Sequence, residues 1–340
     1  RPMKITQSLK RATQLRANDP GWLFRHRQWT YLQFMDQVSR LASCFRELGV
    51  QDGDRIAMLS FNSDRYCCLY FAAIWAGGVL VPMNHRLSQQ ELNRILLDCL
   101  PTILLYDENN IQNAKFAKSV LPDLQLIYTG DVEVESSNTF EDAIVASPIA
   151  DRSGSDNDLA IIVYTGGTTG SPKGVMLSHK NVVSNALNTI PYLGLSEETI
   201  QLHVGPLFHM GAGQRIFTVT QAAGTHVLLP KFTVEDIFAT IQLHKINSIV
   251  LVPTMMHRIL YHPKRTQFDL SSLRFVSYGA ASMPTALLQK FMAEFPQCLL
   301  SQSYGQTECS PVATGLLHRD HLATGPYGSK IGTVGRAVST

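Results

Sequence analysis

Charge is scarce in this chain, and what there is does not cluster. Only 16% of its 340 residues are Asp, Glu, Lys or Arg, the net charge is +2, and no run of Lys and Arg occurs. The electrostatic footprint of a nucleic-acid binder is missing, so no nucleic-acid partner is expected. Cysteine is also sparse: Cys44, Cys67, Cys68, Cys99, Cys298 and Cys309 form no C-x-x-C pair, which argues against a redox motif or a zinc knuckle. Unpatterned thiols in so large a chain suit the cytoplasm, with peripheral attachment to a membrane left open. The first twenty residues are polar and basic and hold no apolar stretch of signal-peptide length, and Met3 is read as the natural start. One uncharged run, residues 66–83 (YCCLYFAAIWAGGVLVPM), is just long enough to suggest a membrane span. Gly77-Gly78 interrupts it, so a helix over 64–76, a strand over 79–81 and a stop at Pro82 are expected, with no transmembrane segment.

Apolar residues make up 45% of the chain, enough for a large core. Leu32, Phe34, Val38, Leu41, Ala42, Phe45 and Leu48 recur at helical spacing, which predicts a helix over 30–48 ending at Gly49. Short apolar runs at 55–60, 79–81, 103–106, 124–128 and 159–164 read as buried strands, with helices such as 89–99 between them. The polar stretch 131–158 reads as a surface connection containing a short helix. Alternation then resumes, with strands expected at 204–207, 225–229, 248–252, 274–277 and 299–303 and helices at 182–190, 211–221, 234–244, 254–260 and 284–295. Two successive doubly wound α/β/α units follow from this pattern, with ligands beyond the carboxyl ends of the strands.

The densest chemical signal is residues 164–174, YTGGTTGSPKG. Gly166, Gly167 and Gly170 permit close backbone approach to phosphate oxygens; Thr165, Thr168 and Thr169 add hydroxyl donors, and Lys173 adds a point charge. This is no Walker A loop, because Lys173 follows Pro172 and a strand, not a helix, comes next. Residues 304–308, YGQTE, offer an aromatic face, a hydroxyl and a carboxylate, although alone they would read as a strand-end turn with an exposed Glu. His209, taken alone, would be an ordinary packed or surface histidine. His318 and His321 have neither helical i, i+4 spacing nor a nearby third ligand, so they read as surface residues.

Together with residues 206–213 (PLFHMGAG), 278–281 (YGAA) and 331–336 (IGTVGR), these segments resemble, in order, the motifs of the adenylate-forming superfamily. That superfamily includes acyl-CoA synthetases, luciferases and the adenylation domains of peptide synthetases. The resemblance implies ATP-dependent activation of a carboxylic acid to an acyl-adenylate, followed by transfer to coenzyme A, with ATP, Mg2+ and CoA as cofactors. It assigns the nucleotide to Thr165, Gly166, Gly167, Thr168, Thr169, Gly170, Lys173, Gly279, Ala280, Ala281, Tyr304, Gly305, Gln306 and Thr307. Catalytic roles fall to Lys173, His209, Thr307 and Glu308, with Glu308 as the metal ligand. The acyl pocket is expected among His209, Met210, Gly211, Gly213 and Thr254.

Amino-acid-activating relatives carry an acidic residue just after the Phe of the PLF motif, where this chain has His209 and Met210, so an amino-acid substrate is disfavoured. Gly166, where many relatives carry Ser, resembles bacterial fatty-acyl synthetases, and a fatty acid is the expected substrate. The alternative is a fatty-acyl-AMP ligase that hands its product to a carrier protein. By the same resemblance the chain is an N-terminal domain: one subdomain from 1–45 plus 200–320, a second from 46–199, and the start of a β-barrel at 321–340. The C-terminal lid domain, with its lysine, is expected to be absent, which would leave the fragment inactive by itself.

Overall fold

The computed structural model describes residues 3–135, 138–166, 172–322 and 330–339. After a helix over Ile5–Arg16, the chain makes an antiparallel hairpin of β1 (Pro20–Phe24) and β2 (Arg27–Thr30). The helix Tyr31–Glu47 follows, started by a capping box in which Thr30 and Gln33 satisfy each other's backbone N–H groups. Next come β3 (Arg55–Leu59), β4 (Val79–Pro82), β5 (Ile103–Tyr106), β6 (Gln125–Tyr128), β7 (Leu159–Thr165) and β8 (Lys173–Ser178), which form a six-stranded sheet in the order β6-β5-β3-β4-β7-β8. All its neighbours are parallel except the β7–β8 hairpin. The uncharged run 66–83 is a helix over Asp64–Trp75, a Gly77 turn and β4, all inside the protein. Among the described residues no helix is long and apolar enough to cross a membrane.

The second half contributes β9 (Ile200–His203), β10 (Thr225–Leu228), β11 (Ser248–Leu251), β12 (Phe275–Gly279), β13 (Leu299–Gly305), β14 (Val312–Leu316) and β15 (Arg336–Ala337). With the hairpin they form a nine-stranded sheet, β15-β14-β13-β12-β11-β9-β10-β1-β2, parallel through its centre and antiparallel at both edges. Three apolar clusters set the layers. One lies between the sheets and is filled by the helices Ile5–Arg16, Tyr31–Glu47, Asp64–Trp75, His179–Leu193 and Met210–Gln221; the other two pack helices on each sheet's outer face. At the heart of the shared layer Trp22 is sandwiched by Phe34 and His226, with ring centroids 4.0 and 3.7 Å away.

Several expectations need correction. The strand expected at 204–207 is displaced: the sheet uses Ile200–His203, and Gly205-Pro206 turns the chain out of it, since Pro206 has no N–H for a ladder. Pro284 occupies the N-cap of the helix Thr285–Glu294 rather than its first turn. At the C-terminal end Arg336–Ala337 joins the edge of the larger sheet beside β14; residues 323–329, within the segment expected to begin a β-barrel, lie outside the described residues.

Candidate active site

A cavity of about 310 Å³ opens beyond the carboxyl ends of β9, β11, β12 and β13, where ligands are held in parallel α/β sheets. The end of each strand supplies part of its wall: His203 and Val204 at β9, Leu251 and Val252 at β11, Tyr278 to Ala280 at β12, and Ser303 to Thr307 at β13. The first turns of the helix Met210–Gln221 supply a further side.

His209 is the N-cap of that helix, at the point where the loop 204–208 enters the cavity. Asn62, from beyond the end of β3, clamps this loop: its Nδ2 donates to Gly205 O (2.8 Å) and its Oδ1 accepts from Leu207 N (3.0 Å). Behind the loop the Tyr70 hydroxyl donates to Leu207 O. His209 is exposed, and its ring packs against Phe208, which in turn meets His85 edge-on. Desolvation there, and secondarily the Arg86 charge, lower the His209 pKa. Because the ordinary value near 6.5 already lies below 7, a lowered pKa leaves the ring mainly neutral at pH 7.

The residues that the resemblance assigns to the nucleotide form two groups. Gly279, Ala280, Tyr304, Gly305, Gln306 and Thr307 all line the cavity. Gly279 is required, since a Cβ there would collide with Ser303 O, and Ala280 adopts the left-handed region (φ 66°). Tyr304 leaves 55% of its surface exposed, a free ring face beside this strip. Thr165, Gly166 and Lys173 lie at the end of the β7–β8 hairpin, with Thr165 and Lys173 in register. Gly167, Thr168, Thr169 and Gly170 lie outside the described residues. Glu308 does not line the cavity; it sits exposed on the short turn Thr307–Cys309, which packs against β8 and so brings it to the hairpin. Asn185 holds that turn, its Nδ2 donating to Cys309 O (3.1 Å) and Val312 O (2.8 Å).

Three expected residues lie elsewhere. Ala281 is exposed beyond the cavity wall, because the chain turns outward after Ala280. Thr254 is exposed on the helix Pro253–Leu260, which presents Met255 instead. Gly213 does not line the cavity; a Cβ there would strike the Tyr70 hydroxyl and Leu207 O, so its absence permits the helix-to-loop contact. Met210 and Gly211 do line the cavity, and a Cβ on Gly211 would meet open space.

Sequence reading missed the polar floor. Arg215 and His203 line the cavity there. His203 begins a buried relay. Thr220 Oγ1 donates to Ile216 O, so it accepts from His226 Nε2–H (3.0 Å); His226 Nδ1 then accepts from His203 Nε2–H (2.9 Å). Burial, and then the Arg215 charge, lower the His203 pKa to about 3, so this ring is neutral. Burial also lowers the Arg215 pKa, to about 10, which still leaves it charged at pH 7. No local motif marks these residues; only the course of β9 and the helix brings them together.

Residues 9–340 match the family model described as AMP-binding enzyme. The chain is 30% identical over 99% of its length to indoleacetate–CoA ligase from Aromatoleum aromaticum, and 28% identical over 94% to the long-chain-fatty-acid–CoA ligase FadD13 from Mycobacterium tuberculosis, covering 65% of each relative. Across further curated relatives its span falls to 56–59% of their length. The inhibitor-bound crystal structure of the N-terminal domain of FACL13 from Mycobacterium tuberculosis superimposes with a TM-score of 0.88 at 25% identity, covering 98% of this chain and 82% of that one. With its two mainly parallel sheets, its ordered motifs and a family match over nearly its whole length, the chain belongs to the AMP-binding enzyme family.

Proposed function

We propose that the protein at its full length is an ATP-dependent acid–thiol ligase that joins a carboxylic acid to coenzyme A through an acyl-adenylate. The observation that carries this reading is the continuity of one cavity, from the strip at Tyr304, Gln306 and Thr307, past His209, to the pocket bounded by Met210, Gly211 and Met255. In the first step a carboxylate oxygen attacks the α-phosphorus of ATP and pyrophosphate leaves. In the second the CoA thiol attacks the acyl carbonyl and AMP leaves. Tyr304 offers its ring to adenine, Thr307 its hydroxyl to the α-phosphate, and Lys173 its charge to the β- and γ-phosphates. Neutral His209 stands between the two halves, where it can orient the acyl carboxylate without competing for it as a cation. This is catalysis by positioning and charge neutralisation.

Among the described residues no group of three or more metal-ligating side chains converges. A lone carboxylate suits Mg2+, which is usually held by one or two carboxylates together with substrate phosphates. Glu308 would hold it, and the ion would supply further charge neutralisation on the triphosphate. The six free cysteines fit a reducing, cytoplasmic setting.

The names of the two relatives disagree about the acid, one aromatic and one a long aliphatic chain. A fatty acid suits the apolar stretch Met210, Val252 and Met255, but that stretch is only part of the wall. The test of the reading is carboxylate-dependent ATP–pyrophosphate exchange by the full-length protein, followed by thioester assay with CoA and with a phosphopantetheinylated carrier protein. Exchange without any carboxylate, or none with a broad panel, refutes adenylation; thioester on the carrier alone refutes the CoA ligase.

A further inference from the structure

Arg215 lines the cavity six residues beyond His209, about 9 Å farther along the helix axis and away from the nucleotide strip. It is only 7% exposed. It has no hydrogen bond or ion pair among the described residues, and no acidic group contributes to its pKa. Ser277, which also lines the cavity and is 6% exposed, has a buried hydroxyl with no partner. None of the neighbouring polar groups bonds to Arg215 or neutralises it. Gln201 is committed, its Oε1 accepting from Ser248 (2.7 Å) and its Nε2 donating to Leu202 O (3.1 Å), and His203 brings no negative charge. A guanidinium withdrawn from water without a counter-ion is costly, and a bound anion removes that cost. Its planar fork matches a carboxylate with two parallel hydrogen bonds.

We infer that the acid activated here carries a second carboxylate, held at the cavity floor by Arg215 and Ser277 while the reacting carboxylate lies at His209. The substrate class is then a short dicarboxylic acid, with Met210 and Met255 beside its apolar spacer. A cavity of about 310 Å³, near the lower end of the roughly 300–1,000 Å³ typical of small-molecule sites, favours a short acid over a long chain. The inference rests on the ligase reading for its reacting end only; the anion site stands on Arg215 and Ser277.

The experiment offers the full-length protein pairs of acids matched in carbon number: butyrate and succinate, hexanoate and adipate, octanoate and suberate. Pyrophosphate release is measured alongside calorimetric binding of the same acids. The wild type is expected to favour the diacid at least tenfold in kcat/KM at one chain length. Arg215→Met should lose at least tenfold on that diacid, gain on its monoacid partner, and keep its KM for ATP within twofold. Without ligand the variant should melt no lower than wild type, since it sheds an uncompensated buried charge. Wild-type preference for monoacids overturns the inference even if the variant fails to fold. So does an equal loss on both acid types, which would put Arg215 on the reacting carboxylate, or a lower melting temperature, which would make the residue structural. Selective diacid binding without pyrophosphate release sinks the ligase reading but supports the anion site; release with monoacids alone does the reverse. No binding and no release overturns both.

Discussion

Gly211 and Gly213 lie two residues apart in one helix, and the same change at each is expected to act with opposite sign. Gly→Ala in a helix gains up to ~1 kcal/mol from propensity alone. At Gly211 nothing lies within 4 Å of the new methyl, so Gly211→Ala keeps whatever part of that gain the first turn allows. At Gly213 the methyl lies 2.8 Å from Leu207 O and collides with the Tyr70 hydroxyl, within a buried apolar layer. Overpacking costs about 1–3 kcal/mol. Displacing the fully buried Tyr70 hydroxyl from its acceptor costs about 1–3 more. Less the propensity gain, Gly213→Ala should destabilise by about 1–5 kcal/mol. Urea unfolding followed by tryptophan fluorescence reads both variants, since Trp22 is fully buried. A Gly213→Ala midpoint at or above wild type would refute the packing assigned to Tyr70 and return Gly213 to the candidates for the pocket wall. The corollary concerns specificity: Gly211→Leu, not Gly213→Leu, should shift acid preference towards smaller substrates.

Asn62→Ala releases Gly205 O and Leu207 N together; about 1–3 kcal/mol of stability should go, and pyrophosphate exchange should fall, because the loop carrying His209 loses its clamp. An exchange rate and melting temperature equal to wild type would remove Asn62 from the positioning role. Lys173→Ala and Glu308→Gln should each slow adenylation on the order of 10²-fold, about 2.7 kcal/mol, by removing charge from the triphosphate site; exchange within twofold of wild type in both variants refutes those roles. The buried pair His203 and His226 makes stability depend on acid. Both folded-state pKa values are depressed, His203 to about 3, so below the ordinary value near 6.5 the unfolded chain takes up protons that the folded chain refuses. Their contribution is therefore complete above pH 6.5 and falls by about 1.4 kcal/mol per pH unit per histidine as pH drops towards the folded values. Melting curves from pH 7 to 5 for wild type and His203→Asn check this, and an equally steep loss in the variant would contradict it.

Strands buried on both faces were the easiest part to read, because a doubly covered sheet demands short apolar runs; β3, β5 and β11 sit where such runs end in polar or Gly/Pro punctuation. Helices with closed caps were as clear: Ser88 and Glu91 start the helix Gln89–Cys99 within four residues of sequence. What failed was whatever depended on a distant partner. The hairpin of β1 and β2 pairs a short strand opening on Pro-Gly with a short polar one, and it is fixed by β10 on one side and by Arg27 reaching Asp64 and Asp131 on the other. The run 204–207 is as apolar as a strand, but Thr225 takes Ile200 as its neighbour and Asn62 draws the later residues off the sheet. The candidate site divides in the same way. Its nucleotide side is written in contiguous motifs, since one loop can present several backbone and hydroxyl groups to a phosphate. Arg215 belongs to no motif. An arginine in an amphipathic helix ordinarily reads as a solvated charge, and this one is buried only because the helix Met210–Gln221 is covered on one face by other helices and turns its opposite face to the cavity. On the proposed reading, the strips assigned to ATP would use chemistry shared by every acid the family activates, whereas the floor would meet only the part of the acid that differs. The residues proposed to choose the substrate are thus the ones that neighbouring sequence marks least.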